Sequence, residues 1–336
     1  MDTISYTRLH NEHLPQLREF CKENWGQEHP LIHNEEMFDY YYRDGNHINM
    51  VIAYIPDTDT GSIDILGVCG FIKTNMDENP DIFLSYILSK KKLHFGVSLR
   101  LIEYIKQITN ARTINCNNIR KKTAAIYEFL DYTVADMDHY YRLNPEIKEY
   151  LLCSIENNHI EEIESFDIDS VEIKAVDDLV DFNFFRYKDN LPYKDMEYVG
   201  KRYLGYPFHA YMLFKVFSAA KEALLVVRKI THEATSMLRV VDFIGDRTLI
   251  KDCGHILDNL MKEQMAEYVD WYSYGIDPSD MKKAGFSKVD QGDQNTIPFY
   301  LSPPVMENIL VTVFVSTSEN FLMFRGDGDQ DRPNLG

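Results

Sequence analysis

The sequence predicts a mixed α/β protein, mostly antiparallel sheet with flanking helices, built as two similar halves. Three observations carry this. Segments with period-two apolar alternation interleave with segments whose apolar residues recur at i, i+3 and i+4. A chain of 336 residues is long for one ordinary core and suits two domains. The order of predicted elements repeats from about residue 171, as in a duplicated domain.

In the first half, a strand at Ile4–Leu9 leads into a helix over Leu14–Trp25. His29-Pro30 interrupts the pattern, and a second helix covers Glu35–Arg43. Strands are predicted at Asn49–Ile55, Ile63–Lys73 and Phe83–Ser89, then a helix at Val97–Ile108. Strand Thr113–Cys116, helix Lys122–Leu130 and strand Tyr132–Leu143 complete this half. Residues 146–170 hold an acidic run, Glu156–Asp169, and read as a linker, with one helix over Pro145–Ser154.

The second half repeats the order: strand Val171–Val176, helix Leu179–Phe185, then a helix over Lys194–Leu204 that Pro207 ends. Strands Tyr211–Phe217, Ala223–Ile230 and Met237–Phe243 precede a helix at Leu249–Met265. Strand Tyr268–Tyr272, helix Pro278–Ala284 and a closing strand pair, Ile309–Ser316 with Phe321–Phe324, finish the chain. Aromatic-basic stretches stand at equivalent places, Tyr40-Tyr41-Tyr42-Arg43 and Lys201-Arg202-Tyr203.

Composition narrows the function classes. The chain carries 53 acidic and 35 basic residues, a net charge of −18, the wrong sign for a general nucleic-acid binder. No apolar run reaches the length of a membrane span, so no membrane partner is expected. The start, MDTISYTRLHNEH, lacks the basic and apolar regions of a secretion signal. Five scattered cysteines with no CxxC pair fit reduced thiols in a cytoplasmic protein. The histidines show no metal-ligand spacing, and no metal is expected. In the tail, Asp327, Asp329 and Asp331 alternate as in a calcium loop, but Arg332 stands where the sixth-position Gly belongs. A frayed terminus is the plain reading of that tail.

The stretch Ser85–Gln107 is the most telling. An alternating strand runs into Lys90, Lys91 and Lys92, then Gly96, then an amphipathic helix. The first turn of a helix presents unpaired N–H groups and about half a positive charge. Phosphates settle there, the lysines add charge, and Gly96 leaves room for close approach. The equivalent turn of the second half, Gly245-Asp246-Arg247-Thr248, carries an acid and no lysine cluster, so only the first half is expected to bind such a ligand.

This pattern resembles the GNAT superfamily of acyl-CoA-dependent acyltransferases. Lys92-Leu93-His94-Phe95-Gly96-Val97-Ser98 matches the family's phosphate turn, with Ser98 in a small-residue slot. Asn115-Cys116-Asn117-Asn118 followed by Thr123–Leu130 is similar to its "N…A…Y…G-F" strand and helix, with Leu130-Asp131-Tyr132 where "G-F" is usual. Ala284-Gly285-Phe286 keeps the "G-F" form. Narrower landmarks are Trp25…His29-Pro30, Leu238–Phe243 and Arg325–Asn334. Together these resemble tandem-GNAT nucleotide-sugar N-acyltransferases of bacterial surface-polysaccharide pathways, over nearly the whole chain.

The resemblance implies two tandem GNAT-like domains: residues 1–145 binding acyl-CoA and residues 171–336 binding the acceptor. The co-substrate would be acetyl-CoA or 3-hydroxybutyryl-CoA, and the acceptor the amine of a dTDP-linked amino dideoxy sugar. The CoA pyrophosphate would lie on the amides of Val97, Ser98 and Leu99, near Lys92, Phe95 and Gly96. Backbone N–H groups near Tyr86, Ile87 and Leu88 would stabilise the oxyanion. Asn115 and Asn118 would meet the pantetheine, and Arg120–Lys122 the 3′-phosphate. Tyr127 would return a proton to the thiolate.

In the second half, Arg239 and Asp242 break the apolar register of their strand. They read as a structural pair, or as a phosphate ligand and the acceptor of the sugar ammonium's proton. Arg202, Tyr203, Asp329 and Arg332 are candidate acceptor contacts, the last two through a docked tail. The rival readings are an aminoacyl-tRNA-dependent transferase, against which the acidity weighs, and a ligand sensor without turnover.

Overall fold

The computed structural model describes residues 3–56, 62–90, 96–164, 168–290, 292, 294–301 and 303–333. By contacts the described residues divide into one unit within Met1–Cys116 and a second within Asn117–Pro333. The division falls upstream of the 146–170 segment that reads as a linker.

The first unit contains β1 (Ser5–Arg8), α1 (Leu14–Trp25), α2 (Pro30–His33), α3 (Glu35–Tyr42), a small hairpin of β2 (Arg43–Asp44) and β3 (His47–Ile48), β4 (Met50–Pro56), β5 (Ile63–Lys73), β6 (Asp81–Ser89), α4 (Val97–Thr109) and β7 (Thr113–Cys116). Strands β1, β4, β5, β6 and β7 are neighbours in that order. All the pairs are antiparallel except β6 with β7, which is parallel. A parallel pair needs a crossover, and α4 supplies it. Helix α1 buries Leu17, Phe20 and Cys21 and ends at Gly26, whose φ of +94° suits glycine. Helix α4 buries Val97, Leu101, Ile102 and Ile105. It lies close on β5 because position 67 is glycine: a Cβ there would meet Val97 Cγ1 at 2.8 Å.

The second unit contains α5 (Ala124–Phe129), β8 (Thr133–Asp136), β9 (Asp138–Leu143), β10 (Asp169–Ile173), α6 (Met196–Val199), β11 (Met212–Ser218), β12 (Lys221–His232), β13 (Thr235–Gly245), α7 (Gly254–Gln264), β14 (Tyr268–Tyr274), α8 (Pro278–Lys283), β15 (Ser287–Lys288), β16 (Thr312–Val315) and β17 (Met323–Phe324). Its large sheet runs β10-β11-β12-β13-β14-β9-β15, with β17 also on β14. The run β4-β5-β6-α4-β7 recurs as β11-β12-β13-α7-β14, again with one parallel pair, β13 with β14, bridged by a helix. The repeated order predicted from sequence is therefore real. The core between α7 and this sheet gathers Leu257, Leu260 and Met261 with Val240, Val269 and Trp271.

Several expected elements differ. The strand predicted at Tyr132–Leu143 is two strands: β8 pairs with β16 and β9 with β14, and they part at Met137, whose N–H donates to Val311 O. The predicted closing pair does not pair with itself, since β16 joins β8 while β17 joins β14. No helix forms over Pro145–Ser154. There the N–H groups of Leu151 and Leu152 donate to the Glu267 carboxylate instead of to helix carbonyls, and Ser154 bridges to Thr296. The helix predicted at Leu179–Phe185 is two 3₁₀ turns, Val176–Asp181 and Phe184–Tyr187. The one predicted at Lys194–Leu204 is α6 followed by a π turn at Gly200–Leu204. The Leu249–Met265 prediction resolves into a 3₁₀ turn, Arg247–Asp252, and α7.

Candidate active site

In the first unit, three local features meet along β6. The first is a fork. Strand β6 pairs with β7 only over Asp81–Phe83 against Thr113–Asn115, then runs on to Ser89. Asn115 sits at the crotch, fully buried, and its amide donates to Ile82 O and Thr113 Oγ1. It therefore fixes where the strands part, a different task from the pantetheine contact expected of it.

The second feature is a bulge. The β5–β6 register passes from Cys69↔Ile87 to Phe71↔Leu84, so Ser85 and Tyr86 face a single residue, Gly70. A bulge re-aims the groups at its kink, here within the strand expected to supply the oxyanion donors, Tyr86, Ile87 and Leu88. Glycine at 70 is required because a Cβ would strike the Tyr42 ring at 2.6 Å. The Tyr42 hydroxyl in turn is 2.8 Å from Ser85 Oγ. The landmark residues Trp25 and His29 close on the Tyr86 ring, with centroids 5.5 and 4.9 Å away.

The third feature is the start of α4. Gly96 is its N-cap, with φ +87° and, among the described residues, nothing within 4 Å of an added Cβ. A glycine cap brings no side chain to the first-turn amides of Val97, Ser98 and Leu99. Ser98 Oγ is 3.1 Å from Ser89 Oγ and ties the helix start to the end of β6. Lys92 and Phe95, with Lys91 and His94, lie outside the described residues. Lys90 is paired with Asp64 at 2.5 Å, so its charge is partly neutralised and it adds less to this turn than the sequence implied.

The second unit contains the equivalent fork, and its own chain fills it. Strand β13 pairs with β14 only over Leu238–Val240 against Val269–Trp271 and then continues to Gly245. Strand β17 lies on β14 through Ser273↔Phe324, and the Gly326 N–H donates to Val241 O of β13 at 2.7 Å. A Cβ at 326 would sit 2.7 Å from Val241 O, so only glycine fits. The following turn is capped by Asp246, which accepts from the Thr248 N–H. An acid already occupies the place where an anion would bind.

Asp242 stands in this filled fork. Its carboxylate accepts from Lys194 Nζ at 2.6 and 2.8 Å, from the Phe243 N–H and from the Tyr203 hydroxyl. Two carboxylate oxygens offer about four acceptor sites, and all are used. With Asp242 fully buried, this is a structural ion pair and leaves no lone pair for a substrate proton. Lys194 also reaches Asp327 at 2.7 Å. Burial works against the lysine's charge, but the two carboxylates hold its pKa above the usual value. Burial, with Asp242 beside it, raises the Asp327 carboxyl to about 6 against the pull of Lys194.

Arg239 does not pair with Asp242. It makes a bidentate pair with Asp270, at 2.8 and 2.6 Å, and also donates to Phe299 O and Pro298 O. His139 lies 3.4 Å from the same carboxylate. Arg202 and Tyr203 likewise serve the fold. Arg202, buried among the rings of Tyr203, Tyr206 and Tyr211, donates to Gly326 O and the Tyr211 hydroxyl.

The tail from Arg325 is docked, contrary to the frayed end that its composition suggests. Asn117 donates to Phe324 O, Asn118 to Gln330, and Tyr211 and Arg228 to Asp331. Although burial opposes it, Arg228 and His209 hold Asp331 well below the usual carboxylate range. Asp329 and Arg332 pair with each other. Tyr127 of α5 is buried, its ring stacked on Phe314 of β16 at 4.3 Å. Among the described residues, no helix is long and apolar enough to cross a membrane and no group of three His, Cys, Asp or Glu is placed to hold a metal.

No protein-family model matches the chain, and no curated protein matches it in sequence. Solved structures do match. A GCN5-related N-acetyltransferase from Anabaena variabilis ATCC 29413 superposes with TM-score 0.56 at 10% identity, covering 93% of this chain and 72% of that one. A conserved protein of unknown function from Enterococcus faecalis V583, a probable N-acyltransferase, gives TM-score 0.52 at 11% identity over 94% and 72%. The fold is thus that of the GCN5-related N-acetyltransferases, repeated in tandem.

Proposed function

We propose that this protein is a cytoplasmic N-acyltransferase that uses acyl-CoA and acylates the amine of a nucleotide-linked amino dideoxy sugar, dTDP-linked, for surface-polysaccharide synthesis. The observation that carries the first part is the conjunction on β6: a fork, a bulge and a helix start capped by glycine. The bulged backbone suits donors aimed at a thioester carbonyl oxygen, a contribution worth about 3 kcal/mol per donor. The first-turn amides of α4 suit a pyrophosphate. Acyl-CoA, when bound, supplies the activated carbonyl.

Tyr127 is the proposed acid, its phenol held in one direction by the stacked Phe314. Asp242 is not proposed as the base, because its acceptor sites are full. The second unit is read as the acceptor half. Its fork is occupied by the tail and its helix start by Asp246, which supports one acyl-CoA per chain. The sugar itself rests on the resemblance of the landmarks Trp25…His29-Pro30, Leu238–Phe243 and Arg325–Asn334.

The test is thiol release from acetyl-CoA and 3-hydroxybutyryl-CoA with a panel of dTDP- and UDP-linked amino sugars. Release that depends on a sugar is expected. Acyl-CoA binding without release on any sugar would contradict the transferase reading and favour a sensor.

A further inference from the structure

One buried cation in the second unit has no use in anything above. Strands β13 and β14 turn Arg239, Asp270 and Tyr272 away from the α7 core. Residues 295–301 cover that polar face, where Ile297 and Leu301 pack in an apolar cluster with Tyr268. Arg325, directly after β17, enters the same layer. Its guanidinium lies 3.9 Å from the centre of the Phe299 ring, and the residue is 8% exposed.

The two arginines of this layer are treated differently. Arg239 has its bidentate carboxylate, Asp270. Arg325 has none among the described residues, and its Nε and Nη1 are buried without a hydrogen-bond partner. The hydroxyl of Tyr272, whose ring stands 5.2 Å from that of Phe299, is also buried and has no hydrogen-bond partner among the described residues. Burial lowers the Arg325 pKa to about 10, with Arg239 adding to the effect; the more distant Asp331 carboxylate opposes it without reaching pairing distance.

An unpaired guanidinium in a low-dielectric interior costs several kcal/mol. A phenyl face returns about 0.5–2 kcal/mol of that. The unmet groups are a cation with N–H donors and a hydroxyl that can donate. What completes them must be rich in acceptor oxygens and negatively charged.

We propose that Arg325 and Tyr272 form an anion site under residues 295–301 that takes a phosphoryl group of the acceptor substrate. This rests on reading the acceptor as nucleotide-linked, and free pyrophosphate would meet the same groups.

The experiment is calorimetric titration of the full chain, without acyl-CoA, using thymidine diphosphate, inorganic pyrophosphate and thymidine. Thymidine diphosphate is expected to bind, and Arg325→Met to weaken it about tenfold or more, the loss for one charge-assisted hydrogen bond. Arg325→Lys keeps charge but loses the planar donor set, and Tyr272→Phe removes only the hydroxyl. Both should fold and weaken binding several-fold. Tighter binding of thymidine diphosphate than of pyrophosphate marks a nucleotide-bearing ligand; equal binding marks a plain phosphate site. If neither anion binds the wild type, or if Arg325→Lys and Tyr272→Phe bind both as the wild type does, the site is refuted. Arg325-dependent binding alongside no thiol release on any sugar would keep this site and reject the transferase reading. Sugar-dependent release with Arg325-independent binding would do the reverse.

Discussion

Replacing Lys194 with Met tests the buried cluster that anchors the tail. The lysine side chain is 3% exposed, and its ammonium serves Asp242 at 2.6 Å and Asp327 at 2.7 Å. Met fills nearly the same volume beside the Phe324 ring, so the change isolates the charge. It leaves two buried carboxylates with no cation, and breaking a buried pair in this way costs about 3–5 kcal/mol. At about 2–4 °C per kcal/mol for a unit of this size, the melting temperature should fall by roughly 6–20 °C. Thermal unfolding followed by near-ultraviolet circular dichroism reads this directly. The sign of the pH effect is fixed as well. Asp327 already titrates above its usual value when folded, and Lys194 is the cation that opposes this rise, so losing it raises the Asp327 carboxyl further. A raised carboxyl pKa means that stability is gained as pH falls, so the deficit of Lys194→Met should narrow between pH 7 and pH 5. A loss under about 1 kcal/mol, the range of an exposed pair, would refute the reasoning.

Other outcomes follow from the same structure. Wild type should gain stability relative to Asp327→Asn as pH falls from 7 through about 6, because the wild-type carboxyl takes up a proton; urea titrations showing a flat difference would contradict this. At Gly96 an added Cβ meets no atom of the described residues, so the cost of Gly96→Val there is backbone strain of about 1–3 kcal/mol at positive φ, and acyl-CoA affinity should fall with it. Asn115→Ala removes both crotch hydrogen bonds and should destabilise the first unit by about 1–3 kcal/mol, measurable by chemical denaturation. Tyr127→Phe should lower turnover without weakening acyl-CoA binding.

Local patterns in the sequence translated well into structure. Helices α1 and α4 were readable because their apolar spacing agrees with their burial, and Gly96 announced the start of α4. Elements held by distant partners were not readable. Leu151 and Leu152 donate their N–H groups to Glu267, more than a hundred positions away, so helical spacing over 145–154 was misleading. The break at Met137 exists because β8 and β9 serve different strands, β16 and β14, a matter of topology. Arg239 and Asp242 are near in sequence, but the parallel register of β13 with β14 gives Arg239 to Asp270. Lys194 carries no local signal of its pairing with Asp242 and Asp327. The acidic tail looked soluble, yet its acids meet Lys194, Arg228 and Arg332.

The most direct measurement is the stoichiometry of acetyl-CoA binding by calorimetry on the full chain. One equivalent, weakened by Gly96→Val, is predicted, because the fork on β6 leads to a helix start whose cap, Gly96, brings no side chain, while the fork on β13 is filled by β17 and Gly326. Two equivalents would show that the tail yields its place, and no binding at all would remove the acyl donor from the first unit.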